Sequence, residues 1–101
     1  MEDRRSALRR HLPHAVIGRV VDVSEESSQA ALLQDISCSG AGLLLIRPIT
    51  MPMLLGIELP GRPESILARV VHGNSLEDGT FQAGFQFLDP LDERELTALG
   101  L

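Results

Sequence analysis

The sequence predicts a mainly β domain, a small barrel or sandwich carrying one short helix at its C-terminal end. Three observations point there. Apolar and β-branched residues recur with period two in short runs. Glycine, proline and polar clusters separate those runs, and helical spacing begins only near Pro90. Six short strands of this kind bury their apolar faces by closing into a barrel or packing as a sandwich. At 101 residues and 44% apolar content, the chain is long enough for one domain with a modest core.

The elements follow in order. "DRRSALRR" (3–10) is strongly basic, and His11-Leu12-Pro13-His14 reads as a loop, so residues 1–12 are expected to form a flexible arm. "AVIGRVVDV" (15–23) alternates as a strand, and "SEESSQ" (24–29) is a turn. "AALLQDIS" and "GLLLI" are two strands joined by a tight connection through "CSGA". Pro48 and Pro52 punctuate the next link before the strand "LLGIEL" (54–59). "PGRPE" (60–64) turns the chain into "SILARVVH" (65–72), and "GNSLEDG" (73–79) closes a hairpin onto "TFQAGFQFL" (80–88). In that last strand Phe81, Ala83, Phe85 and Phe87 share one face, which makes the phenylalanines core rather than a base-stacking platform. The β domain, barrel or sandwich, is thus expected over 15–88. Asp89 as N-cap and Pro90 at the first helical position start a helix over 90–99, with Leu91, Leu96 and Leu99 along one side.

Charge is distributed unevenly. The chain carries a formal net charge of -5, yet four of its nine basic residues, all arginine, fall within the first ten positions. Net acidity argues against a nonspecific nucleic-acid binder, which needs a broad positive surface. A small anion needs only a local one. No apolar run is long enough to cross a bilayer, and no hydrophobic signal-peptide core follows the charged start. The single cysteine, Cys38, fits a reducing compartment and a cytoplasmic location. Its place in a turn, with no basic neighbour in sequence, reads as packing rather than reactivity. Ser, His and Asp are present without a Gly-x-Ser-x-Gly elbow, so the protein is not expected to be an enzyme. His11-x-x-His14 with Cys38 matches no zinc spacing, so neither metal nor cofactor is expected.

The chemistry concentrates in two places. One is Arg5-x-x-x-Arg9, flanked by Arg4 and Arg10; the other is "DISCSG", with Asp35, Ser37 and Gly40. On a strand, Asp35 and Ser37 would project to the same face, and Gly40 is free to take positive φ and admit a ligand to the backbone. Arginine forks match phosphates and the N7/O6 edge of guanine, while a carboxylate accepts from guanine N1–H and N2–H₂. A ligand holding both guanine and phosphate would use every group.

These motifs, in this order, are similar to the signature of the PilZ domain family: Arg-x-x-x-Arg as "RSALR" (5–9), then Asp/Asn-x-Ser-x-x-Gly as "DISCSG" (35–40). "ARVVH", "AGFQF" and the closing helix extend the resemblance over nearly the whole chain. It implies a six-stranded split β-barrel and a cytoplasmic bacterial receptor for cyclic di-GMP. Arg5 and Arg9 would contact phosphate and guanine, Asp35 and Ser37 would bond guanine, and Gly40 would give the dinucleotide room. Arg4, just before the first motif arginine, would favour a stacked ligand pair. His72 stands where some members carry an aromatic that stacks on the ligand. The implied mechanism is closure of the arginine arm over the ligand, which changes the surface shown to a downstream protein. Neither a nucleic-acid polymer nor membrane insertion is implied; monomer and dimer both remain open. The alternative is a PilZ-like interaction module that binds a protein and no nucleotide.

Overall fold

The computed structural model describes residues 10–22, 26–49 and 54–99, the first five of them as backbone. Six strands run β1 (Arg10–Asp22), β2 (Ser27–Ile36), β3 (Gly40–Leu45), β4 (Leu54–Glu58), β5 (Ile66–Ser75) and β6 (Phe81–Phe87), followed by helix α1 (Glu93–Ala98). They close into an antiparallel barrel in the order β1-β2-β3-β6-β5-β4. The seam is the β1–β4 pair, where Arg19, Val20 and Val21 face Glu58, Ile57 and Gly56. That short pair is what joins β1 to β4 and closes the sheet on itself.

Alternation fills the interior as the sequence predicts. Phe81, Ala83, Phe85 and Phe87 are all buried, together with Leu43 and Leu45 from β3 and Ala68 and Val70 from β5. Leu91, Leu96 and Leu99 plug one end of this core, so α1 is held by the apolar side the sequence assigns to it.

Four boundaries differ from the sequence reading. β1 begins at Arg10 rather than Ala15: Arg10 and His11 pair with Ile36 and Asp35 before a break in register around Pro13. Local loop chemistry is overridden there by a partner strand. β2 starts at Ser27, inside the polar run expected to be a turn. β5 continues through Gly73, Asn74 and Ser75, which pair with Ala83, Gln82 and Phe81; a side chain at Gly73 would overlap the Phe81 ring, so the glycine is there for space. Finally, the N-cap of α1 is Asp92, not Asp89. Asp92 Oδ1 accepts from Glu95 N at 2.7 Å while Glu95 Oε1 accepts from Asp92 N at 3.0 Å. That reciprocal box satisfies two backbone donors at once, which Asp89 followed by a proline does not do.

Candidate functional site on the outer face of β2, β3, β6 and β5

Two β-bulges create the site. Along β2, Ala31 and Leu33 point inward, and strict alternation would send Asp35 inward after them. Instead Leu33 pairs with Leu43 and Asp35 with Gly42, two steps on β2 against one on β3. The extra residue turns Asp35 to the outer face, half-buried, and gives the inward position to Ile36. The same device operates on β5. Ile66, Ala68 and Val70 point inward, but Val70 pairs with Phe85 and His72 with Gly84, so Val71 and His72 both lie outside. Bulges commonly re-aim a side chain beside a functional site. Here each brings out a polar group that the pleat would otherwise bury.

Between the re-aimed residues, Gly42 and Gly84 face each other across β3 and β6. Both oxygens of the Asp35 carboxylate lie 3.2 Å from the point where a Gly42 Cβ would stand. The His72 imidazole occupies the space that a Cβ on Gly84 would need. Carboxylate and imidazole therefore lie flat over neighbouring strands, whose spacing is about 4.8 Å. Gln82 Nε2 donates to Gln34 Oε1 at 3.0 Å, bridging β6 to β2 on one side of this strip. On the other side, Gln86 pairs with both Gly40 and Arg69, and the exposed Arg69 adds a cation to the same face.

The turn after β2 is organised from within. Ser37 is 1% exposed and lies beyond the end of β2, so it does not share a strand face with Asp35 as the spacing suggested. Its hydroxyl donates to Gly40 O at 3.4 Å, accepts from Ser39 N at 3.3 Å and lies 3.3 Å from Ser39 Oγ. Gly40 does not take positive φ either. Its missing side chain makes room for the Phe85 carbonyl of the adjacent strand, where any Cβ would collide with backbone. The turn also reaches the far end of the chain: Ser39 O accepts from Phe87 N at 2.9 Å and Cys38 O from Leu91 N at 2.8 Å. The half-buried Cys38 Sγ points at Glu93 Oε2 on α1 at 3.6 Å, with the carboxylate as acceptor.

Arg4, Arg5 and Arg9 lie outside the described residues, as does the side chain of Arg10. The described backbone begins next to the site: Arg10 pairs with Ile36 and His11 with Asp35, so the start of β1 lies beside the Asp35–Gly40 turn. Among the described residues no cluster of three or more His, Cys, Asp or Glu side chains is placed to hold a metal ion, and no helix is long and apolar enough to cross a membrane. The side chains of His11 and His14 are not among those described.

The PilZ domain family model matches residues 3–100. The chain belongs to the PilZ domain family. Among solved structures, the PilZ domain of YcgR from Escherichia coli with c-di-GMP superimposes with a TM-score of 0.68 at 21% identity, covering 97% of this chain and 87% of that one. The K. pneumonia MrkH–c-di-GMP complex gives 0.66 at 19% identity, covering 98% of this chain but 49% of MrkH, about half its length. No curated protein sequence matches the chain. In this PilZ domain, sequence reasoning singled out Asp35 and His72 but missed the glycine pair beneath them and Arg69 beside them. The signal for Gly42 and Gly84 was available: each falls at an outward position of a strand whose inward positions are all apolar. Recognising it required the β3–β6 register.

Proposed function

We propose that this PilZ domain is a cyclic di-GMP receptor in which the N-terminal arginines close over a dinucleotide held on the outer face of β2, β3, β6 and β5. One observation carries the reading: Arg10 and His11 pair with Ile36 and Asp35, so the residues that directly follow the arginine motif lie beside the carboxylate with which the motif must cooperate. Arg9 is a single residue from that pairing. Asp35 accepts the N1–H and N2–H₂ groups of one guanine, and arginine forks from the arm take the phosphates and the other guanine edge. Arg4, Arg5 and Arg10 raise the local positive charge, with Arg69 opposite. Ser37 and Gly40 shape the turn, and His72 offers a flat ring and an N–H beside Asp35.

The domain acts as a cytoplasmic adaptor rather than an enzyme, with no cofactor besides the dinucleotide. Its message passes to another protein by a physical route: the same turn is bonded to the end of β6 and to the segment entering α1. A ligand that shifts or stiffens the turn therefore alters the surface around α1.

The test is isothermal titration of cyclic di-GMP into the wild type, Arg9→Ala and Asp35→Ala, with GTP and cyclic GMP as controls. Ligand at a hundred times its Kd stabilises the fold by about 2.7 kcal/mol, which a thermal melt also reads. Binding to the wild type, with large losses in both variants, is the expected result. Identical melting curves with and without ligand would sink the proposal and favour a nucleotide-free interaction module.

A further inference from the structure

We infer that Gly84 is a positioning residue for ligand recognition: its missing side chain is the seat that lets His72 lie across the sheet toward Asp35. The inference rests on the receptor reading above, but its evidence is separate. Glycine inside a strand weakens it relative to alanine, so its presence needs a reason. Backbone conformation is not that reason, because Gly84 has no positive φ. Close approach is. The atoms that a Cβ at 84 would strike are Nε2, Cε1 and Cδ2 of His72, with Cδ2 at 2.9 Å.

The identity of the colliding atoms decides what a substitution does. At Gly40 the obstacle is the Phe85 carbonyl, part of the barrel itself, so a side chain there strains the fold. At Gly84 the obstacle is the far end of one exposed side chain, which can swing away while the sheet stays intact. Gly84→Ala should therefore fold and leave the barrel unchanged, yet lift the imidazole off the strip. Asp35 is seated similarly but less tightly over Gly42, where its oxygens at 3.2 Å need to give by only a few tenths of an ångström. The bulge at Val71 and the glycine at 84 thus act together on one ring. The first turns it outward, and the second lets it lie flat beside the carboxylate. A flat N–H-bearing ring next to a carboxylate suits a purine, which presents both acceptors and donors on its edges.

The test is a double-mutant cycle read by cyclic di-GMP titration of the full chain: wild type, His72→Ala, Gly84→Ala and the double variant. Circular dichroism confirms that each is folded. His72→Ala should weaken Kd roughly three- to tenfold, the worth of one hydrogen bond or ring contact. Gly84→Ala should weaken it by a similar factor, and the double variant should bind no worse than His72→Ala alone. Wild-type affinity in Gly84→Ala would overturn the inference, as would losses that multiply in the double variant. A readout independent of ligand accompanies the cycle: in the free protein, NOEs from the His72 ring to the Gly84 Hα protons should be present. If the wild type binds no cyclic di-GMP while those NOEs are observed, the receptor reading fails and the recognition role falls with it, although the seat itself stands. If the wild type binds and the NOEs are absent, only the inference about Gly84 fails.

Discussion

Ser37→Ala separates two roles for the serine of the second motif, organising the turn or touching the ligand. The hydroxyl is buried and its contacts, at 3.3–3.4 Å, all lie within residues 37–40. These are long for hydroxyl hydrogen bonds, which cluster near 2.7–2.8 Å, so their joint contribution lies toward the lower part of the usual range. Removing the oxygen strands little. Gly40 O still accepts from Ser37 N at 2.9 Å, and the exposed Ser39 can turn to water. The expected cost is about 1 kcal/mol of unfolding free energy, a fall of roughly 4–8 °C in Tm for a domain of this size. The chain has no Trp or Tyr, so urea and thermal unfolding are followed by far-UV circular dichroism. Cyclic di-GMP affinity should fall moderately, through a loosened turn. A Tm within about 1 °C of the wild type, combined with abolished binding, would refute this assignment and return the hydroxyl to the ligand.

Four further outcomes follow from the same geometry. Gly40→Ala drives a Cβ into the Phe85 carbonyl and should cost about 1–3 kcal/mol or more by urea unfolding, exceeding Ser37→Ala; an unchanged midpoint would contradict it. Asp92→Ala removes the capping box of α1 and should cost about 1 kcal/mol, with amide exchange accelerating in residues 93–96; unchanged exchange would mean that core contacts alone hold the helix. The Asp78 carboxyl is held below its ordinary value of 3.8 by hydrogen bonds from the Thr80 hydroxyl and backbone, so its contribution is present above that value and lost as pH falls through the lowered one. Thr80→Val should move Asp78 back up toward 3.8 in a carbon-detected NMR titration, only part of the way because the Thr80 N–H bond at 3.0 Å survives. Cyclic di-GMP should slow hydrogen exchange at the Phe87 and Leu91 amides, which bond the 37–40 turn; equal rates with and without ligand would break the proposed route to α1.

The core was legible because its signals are local and periodic: the alternating phenylalanines and the leucines of the C-terminal segment needed no partner to interpret. The site was legible only in part. Asp35 and Ser37 sit two apart, which on an unbroken strand means one face, but β2 bulges before Asp35 and stops before Ser37. A trace of that bulge is present in sequence, since Leu33 and Ile36 are both apolar at a spacing that alternation forbids. His72 carries the same ambiguity: the alternation of Ile66, Ala68 and Val70 predicts an inward histidine, and only pairing with Gly84 shows it outside. The start of β1 was hidden because "HLPH" has loop chemistry, and its pairing with Asp35 and Ile36 is a contact between segments far apart in the chain. The cap of α1 was misplaced because Asp89-Pro90 carries the local signature, whereas the structure caps the helix at Asp92 through reciprocal bonds with Glu95.

Bulges and glycines together explain how a closed barrel of this size presents a polar site without sacrificing its interior. Each outward polar residue on an ideal strand costs the core nothing, but an ideal strand also holds its side chains upright and apart. Recognition of a flat ligand needs groups that lie along the sheet and converge. The extra residue on β2 and on β5 supplies the outward direction without removing an inward apolar position, since Ile36 and Val70 remain fully engaged in the core. The facing glycines on β3 and β6 supply the clearance for convergence. Removing either bulge would force a choice between burying a carboxylate or imidazole and exposing the apolar residue beside it, each a penalty of several kcal/mol. The arrangement of the site is therefore written into strand pairing, and a change of register by one residue at β2–β3 or β5–β6 would erase it while leaving the composition of every strand intact.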